Sequence, residues 1–274
     1  MPDIDLVPIA ARQTIEHKLE AIEKEQDVRI IFAVESGSRA WGFPSPDSDY
    51  DVRFIYVHPP DWYLSIDPRR DVIELPIEGL FDVNGWDLRN ALQLLVKSNP
   101  VLLEWLCSPI LYRGDRAAMQ RLTELGHRTA YYKPSVFHYL HLCTSQYHRF
   151  IEGKEAVQLK KYFYCSRPAL SLMWLRTRAG HPVPMSLSKL RDGLNLPAEI
   201  SSFLDELLKR KAATKEVGTG PRNVRLDEFI EIEMELARSS AGPTPITPAS
   251  LVDEANVLFR ELMSRRRIPY TAIA

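Results

Sequence analysis

The stretch ESGSRAWGFPSPDSDYDVRFIYV, residues 35–57, decides how this chain is read. Gly37-Ser38 is followed by a ten-residue, turn-rich segment, after which Asp49 and Asp51 open a β-branched and aromatic run. Successive side chains on a strand alternate faces, so Asp49 and Asp51 project to one side while Tyr50 and Val52 point to the other. Two carboxylates so close repel each other unless a cation or a proton intervenes. Hard divalent cations such as Mg²⁺ take oxygen ligands and keep positions open for substrate phosphates. Before the gap, VRIIFAV (28–34) has the composition of a buried strand running into a glycine turn and a helix. Free backbone N–H groups at such a turn suit a phosphate. Gly37 lets the backbone approach an anion, the Ser38 hydroxyl adds a hydrogen bond and Arg39 adds charge. A bare Asp-x-Asp is an ordinary solvated strand end; beside a phosphate cradle it becomes what phosphoryl or nucleotidyl transfer requires.

Outward from this stretch, Ile9, Ile15, Leu19 and Ile22 predict a helix over residues 8–26. DYDVRFIYV (49–57) predicts a strand, broken by the paired prolines of HPPDWYLS. RRDVIELPI and EGLFDVNGW (78–86) predict two more strands, antiparallel neighbours. Leu88, Ala91, Leu92, Leu95 and Val96 give the next segment a helical period, with Asp87 as its N-cap and Asn99-Pro100 as its stop. VLLEWLCSP continues as a short helix. From about residue 115 the patterns are almost wholly helical, with VGTGPRN (217–223) and AGPTPITP (241–248) as loops. The chain thus divides into an α/β part, 1–113, and a helical part, 114–274. Trp41, Trp86 and Trp105 read as core anchors of the α/β part. Glu35 and Glu104 have no role that the sequence supplies.

The 274 residues, 45% of them hydrophobic, can bury a sizeable core, and a net charge of −1 leaves any polyanionic partner to a local patch. Cys107, Cys143 and Cys165 are odd in number and widely spaced, which argues against a disulfide framework and for a reducing compartment. No secretory signal and no apolar run of membrane-spanning length is visible, so a cytoplasmic protein is expected. His138, His141 and His148 lie near one helix face, but their spacing does not supply a tetrahedral zinc set. In LKKYFYCSRP, Lys160, Tyr164 and Arg167 fall at i, i+4 and i+7 and share a helix face able to grip phosphates and stack a base. Pro168 disfavours helical Arg167 and predicts a kink or break, and Lys161 is the register alternative to Lys160.

GSRAWGFPSPDSDYDV resembles the signature of the DNA polymerase beta-like nucleotidyltransferase superfamily. Together with FDVNGWDLRNAL, KSNPVLLEWLCSPILY and LKKYFYCSRP, it resembles the predicted nucleotidyltransferases of bacterial RNA-repair pathways. The resemblance implies an α+β fold, with a minimal polymerase beta-like catalytic sheet and flanking helices in 1–113. A helical nucleotide- and substrate-binding domain, 114–274, would close over the nucleotide. It also implies a third carboxylate on a neighbouring strand, and Asp82, inside a strand, is preferred to Asp87. Asp49, Asp51 and Asp82 are then the catalytic and metal-binding residues for Mg²⁺ or Mn²⁺. Gly37, Ser38, Arg39, Lys160, Tyr164 and Arg167 bind the nucleoside triphosphate. The implied reaction moves a nucleoside monophosphate to a hydroxyl on a tRNA-like RNA end, with pyrophosphate released. Nucleotidylation of a protein or small-molecule hydroxyl is the alternative. A non-catalytic, antitoxin-like binding protein is a further one, although it would not need three convergent carboxylates.

Overall fold

A computed structural model describes residues 7–129, 132–213, 217–240 and 248–264. The first amphipathic segment forms α1 (Ile9–Glu25), which buries Ala11, Ile15, Leu19 and Ile22 at helical spacing. The β-branched run forms β1 (Arg29–Ser36), which passes directly into the short α2 (Gly37–Trp41) and, after the turn-rich gap, β2 (Tyr50–Val57). The paired prolines open α3 (Pro60–Tyr63), and β3 (Val72–Glu74) and β4 (Phe81–Asp87) pair antiparallel, as expected. Asp87 caps α4 (Leu88–Val96), and Asn99 caps α5 (Pro100–Leu106), where Pro100 takes the first position because its missing N–H is not needed there. β5 (Leu111–Gly114) and α6 (Arg116–His127), capped by Asp115, complete this stretch.

Next come α7 (Tyr132–Phe150), β6 (Ala156–Gln158), α8 (Lys161–Thr177), α9 (Leu187–Asp192), α10 (Ala198–Ala213), β7 (Thr219–Pro221), α11 (Val224–Ser239) and finally α12 (Ala249–Ser264). The chain forms two compact units. The first gathers 1–40, 49–129 and 247–274; the second gathers 41–48 and 130–246. This partition differs from a division after residue 113. Helix α6 packs on the sheet, and α12 returns to the first unit by burying Leu251, Ala255, Leu258 and Leu262. The VGTGPRN segment, expected as loop, contains β7, which pairs with β6 in a small antiparallel ribbon. AGPTPITP lies, except for Pro248, outside the described residues.

The first unit is built on a sheet of order β3-β4-β2-β1-β5. All neighbours are antiparallel except β2 and β4, which run parallel from Tyr50 opposite Phe81 to Tyr56 opposite Asp87. One face carries α1 over Ile30, Ala33, Val52, Phe54 and Val83, and the other carries α4, α5, α6 and α12 over Ile31, Phe32, Val34 and Ile55. Trp86 and Trp105 meet on this second face with ring centroids 4.1 Å apart. Gly85 is required where it stands, since a Cβ there would lie 2.4 Å from the Phe54 ring.

In the second unit α7, α8 and α11 pack together. Asp227 accepts hydrogen bonds from the Tyr162 hydroxyl at 2.9 Å and from Arg222 at 2.8 Å. Helix α8 continues through Pro168, where the sequence predicted a kink or break, and the flanking Arg167 and Ala169 are buried in the unit's core. Among the described residues no helix is long and apolar enough to cross a membrane.

Asp87 is buried at the end of β4. It accepts from the Arg89 backbone N–H at 2.8 Å and from the Tyr63 hydroxyl at 2.6 Å. Asp87→Ala is expected to lower unfolding free energy by about 2–3 kcal/mol in a urea titration, from the lost cap and the orphaned tyrosine hydroxyl. A loss below about 0.5 kcal/mol would show that neither bond supports the fold.

Candidate active site

The parallel register of β2 and β4 sets Asp51 directly opposite Asp82. Asp51 is also the Cα partner of Ser36, the last residue of β1, so the turn at Gly37 begins beside it. Gly37 has φ +70°, a left-handed conformation that glycine adopts without strain, and a Cβ there would lie 2.1 Å from Asp51 Oδ2. Any other residue would force that carboxylate to shift. The Gly-Ser turn and Asp51, the last residue of the DSDYD motif, are therefore in contact, with Ser38 half-buried beside them. Asp49 lies exposed just before β2.

Between the paired carboxylates stands Arg53. Its Nη2 donates to Asp82 Oδ2 at 2.7 Å and to Asp51 Oδ1 at 3.3 Å, and its Nη1 donates to the Asp82 carbonyl at 3.0 Å. Burial pushes the Asp51 pKa above the usual carboxylate range. Arg53 pulls it back, while the charges of Asp82 and Asp49 push it further up. Arg53 was missed in the sequence, although the alternation that places 49 and 51 on one face places 53 there too.

Glu35 was also missed as a site residue. It is completely buried at the end of β1, accepts from the Asp51 backbone N–H at 3.0 Å, and takes a hydrogen bond from the Tyr112 hydroxyl on β5. Burial raises its pKa to about 7, against the lowering effect of those bonds. Arg39 is buried rather than offered to solvent. Its guanidinium lies 4.0 Å from the Tyr50 ring centroid, and its Nε donates to the Asp49 carbonyl at 3.0 Å, so it braces the chain where Asp49 departs.

The oxygen-only donors Asp49, Asp51 and Asp82 suit a hard divalent cation by type, and the missing Cβ at Gly37 keeps one flank of Asp51 clear. Among the described residues, however, no three His, Cys, Asp or Glu side chains stand close enough together to hold a metal. Arg53 supplies the counter-charge between Asp51 and Asp82 in its place. His138, His141 and His148 form no metal cluster either, and His148 pairs with Glu152 one turn on.

The second unit holds the other predicted nucleotide-binding residues. Lys160 is the N-cap residue of α8, and Lys161 is the cation over the rings, 5.2 Å from the Tyr164 centroid and 4.1 Å from that of Phe150. Arg167 is buried, with its Nε donating to the Met185 carbonyl at 3.3 Å and its guanidinium 4.7 Å from the Trp41 ring. Trp41 groups with this unit, edge-on to Tyr164 at 6.3 Å, and not with the α/β core as expected. The reason is the gap segment 41–48, which joins the second unit and stacks Phe43 on Phe163 at 4.7 Å. Lys211 lies 4.6 Å from the Phe43 ring and is buried. Desolvation, and then the charge of Lys160, lower its pKa to about 8. Nothing in the sequence KRKAA singles it out.

Residues 11–261 match a family model described as RNA repair pathway DNA polymerase beta family. The chain is 42% identical over 250 residues to the uncharacterized protein YcgL of Bacillus subtilis (strain 168), covering 90% of this chain and 95% of that one. A crystal structure of a nucleotidyltransferase-like protein from Exiguobacterium sibiricum 255-15 aligns with 94% of this chain and 82% of its own, at 12% identity and a TM-score of 0.29, a likeness too slight to carry weight.

Glu35→Ala strips acceptors from two buried donors and is expected to cost about 2–4 kcal/mol of unfolding free energy, whereas Glu35→Gln, which can still accept from Asp51 N–H, costs less than half of that. Equal losses in chemical denaturation would mean that Glu35 acts only by filling space. For Lys211 the folded state disfavours the charged form. Its folded pKa of about 8 lies below the ordinary 10.5, so stability should rise as pH increases through that window. Melting temperatures of the wild type and of Lys211→Met, compared between those limits, should show the rise only in the wild type; parallel curves would contradict it.

Proposed function

This chain belongs to the RNA repair pathway DNA polymerase beta family and is a nucleotidyltransferase. On that premise we propose that it moves a nucleoside monophosphate from a nucleoside triphosphate to a hydroxyl on an RNA end. The observation that supports this most is the in-register pairing of Asp51 with Asp82 against a Gly37 that leaves the Asp51 carboxylate its space. A strand pair that served packing alone would not place two partly desolvated carboxylates opposite each other.

In this reading Asp49, Asp51 and Asp82 would hold Mg²⁺ or Mn²⁺ only once Arg53 has turned away and the three carboxylates have drawn closer together than they stand here. Bound there, the cation supplies charge neutralisation for the triphosphate and acidity for the attacking hydroxyl. The chain's own residues position the reaction. The Gly37-Ser38 turn receives phosphate oxygens through its backbone and the Ser38 hydroxyl. The acceptor oxygen attacks the α-phosphorus, the bond to the β-bridging oxygen breaks, and pyrophosphate leaves. The hydroxyl proton passes to a carboxylate of the site. Glu35 fixes the Asp51 backbone and Arg39 fixes that of Asp49, so little reorganisation is needed when substrate arrives. Within the second unit, Lys160, Lys161 and Tyr164 are the residues this reading assigns to nucleotide or acceptor binding.

The test supplies α-labelled ribonucleoside triphosphates, Mg²⁺ or Mn²⁺, and pooled cellular RNA and protein to the wild type and to Asp49→Ala/Asp51→Ala. Label is expected in RNA, reduced at least about 100-fold in the variant. Label in protein instead would overturn the RNA acceptor, and label in RNA that persists in the variant would overturn the assignment of the carboxylates.

A further inference from the structure

The second unit contains an open cleft of about 320 Å³ where α7 ends, lined by Arg149, Phe150, Lys154, Gln158, Lys161 and Thr219 with the backbone of β6. Three cations converge on the half-buried ring of Phe150. Arg149 lies 5.0 Å from its centroid, Lys154 5.8 Å and Lys161 4.1 Å. Among the described residues no carboxylate lines the cleft. The nearest acids in sequence are spent or turned away, since Glu152 pairs with His148 and Glu155 is exposed outside the lining. Lys154 donates to the Arg149 carbonyl at 2.6 Å, which orients its ammonium but brings no opposite charge. Arg149 and Lys154 have no acidic partner among the described residues, so a ligand with negative charge can meet them beside the ring.

The cleft also opens into a row. Lys161 is shared between Phe150 and Tyr164, so cations and rings alternate as Lys154, Phe150, Lys161, Tyr164, with the Trp41 ring edge-on beyond the last. Gln158 and Thr219 place an amide and a hydroxyl on the floor beside the first ring. Alternation of charge with half-exposed aromatic faces matches a polymer in which phosphodiesters and bases alternate.

We propose that this row is a binding track for single-stranded RNA. Arg149, Lys154 and Lys161 hold phosphodiesters, Phe150 and Tyr164 stack bases, and Gln158 and Thr219 meet a base edge. The track rests on the reading that the acceptor is RNA. It gives that acceptor a place on a chain whose net charge of −1 offers no general attraction to nucleic acid. Duplex RNA is excluded by the same chemistry, because its bases are not free to stack.

Fluorescence anisotropy of a labelled single-stranded RNA of about ten nucleotides tests this on the full chain. The duplex of the same sequence, and inorganic tripolyphosphate as competitor, serve as comparisons. Arg149 and Lys154 are exposed, so Arg149→Ala/Lys154→Ala leaves the core untouched, and Phe150→Leu keeps the apolar bulk. Wild type should bind the single strand in preference to the duplex. The double variant should weaken binding at least about tenfold and lower the slope of log Kd against log salt by about 1.4, or about 0.7 per cation. Phe150→Leu should weaken binding with little change in slope. No RNA binding by the wild type, an unchanged Kd and slope in the double variant, equal affinity for the duplex, or stoichiometric displacement of RNA by tripolyphosphate would each overturn the track. Asp51→Asn separates the two readings: it should bind RNA as the wild type does while failing to transfer label. Transfer to RNA that persists when the double variant binds normally would sink the track and leave the catalytic reading standing.

Discussion

A parallel ladder places Asp51 against Asp82 whether or not their charges agree, and Arg53 is the counter-charge that makes this tolerable. Each carboxylate is partly removed from water, and the Coulomb repulsion of such a pair grows as the local dielectric falls. The guanidinium spans both strands with its planar fork, a task for which lysine's point charge is less suited. The same charge distribution makes the place receptive to another cation. On the proposed reading a divalent ion would displace the flexible Arg53 side chain and leave the strands unchanged.

Around this pair the sequence arranges rigidity. Glu35 reaches from the end of β1 to the Asp51 amide and ties it to Tyr112 on β5, so three strands share one buried hydrogen-bonded carboxylate. Arg39, pressed on Tyr50, holds the carbonyl of Asp49. On the far end of β4, Asp87 binds the first turn of α4 and the hydroxyl of Tyr63. Asp82 and Asp87 lie on one short strand with different tasks, because one sits at a strand start open to solvent and the other where a helix begins.

Much of this was legible in the residues for identifiable reasons. Strand alternation and the Gly-Ser spacing led to β1, the turn and β2, and the conflict between strand and cap separated Asp82 from Asp87. What escaped was tertiary. The partner of Glu35 comes from a strand far along the chain, so no local pattern announces it. Arg53 was visible by alternation, yet a charged residue at the mouth of a strand also reads as solvated. Lys161 and not Lys160 lies over the rings, because α8 starts at Lys161 and a helical wheel turned by one position aims a different side chain at Tyr164 and Phe150. β6 and β7 are too short to leave a period. The apolar stripe of α12 says that it packs, but not on which unit.

That last helix has a consequence for how the protein comes into being. Leu251, Ala255, Leu258 and Leu262 join the core formed by Leu92, Leu95 and Leu122 on one side of the sheet. During synthesis the sheet and its first helices leave the ribosome long before their lid does. The second unit can consolidate as an uninterrupted stretch from α7 to α11, while the earlier segment waits with an apolar face uncovered. The usual order of birth is thereby reversed: the half of the molecule that carries the paired aspartates is first to be translated and last to be finished, and its aggregation hazard is set by the time the ribosome takes to reach residue 262.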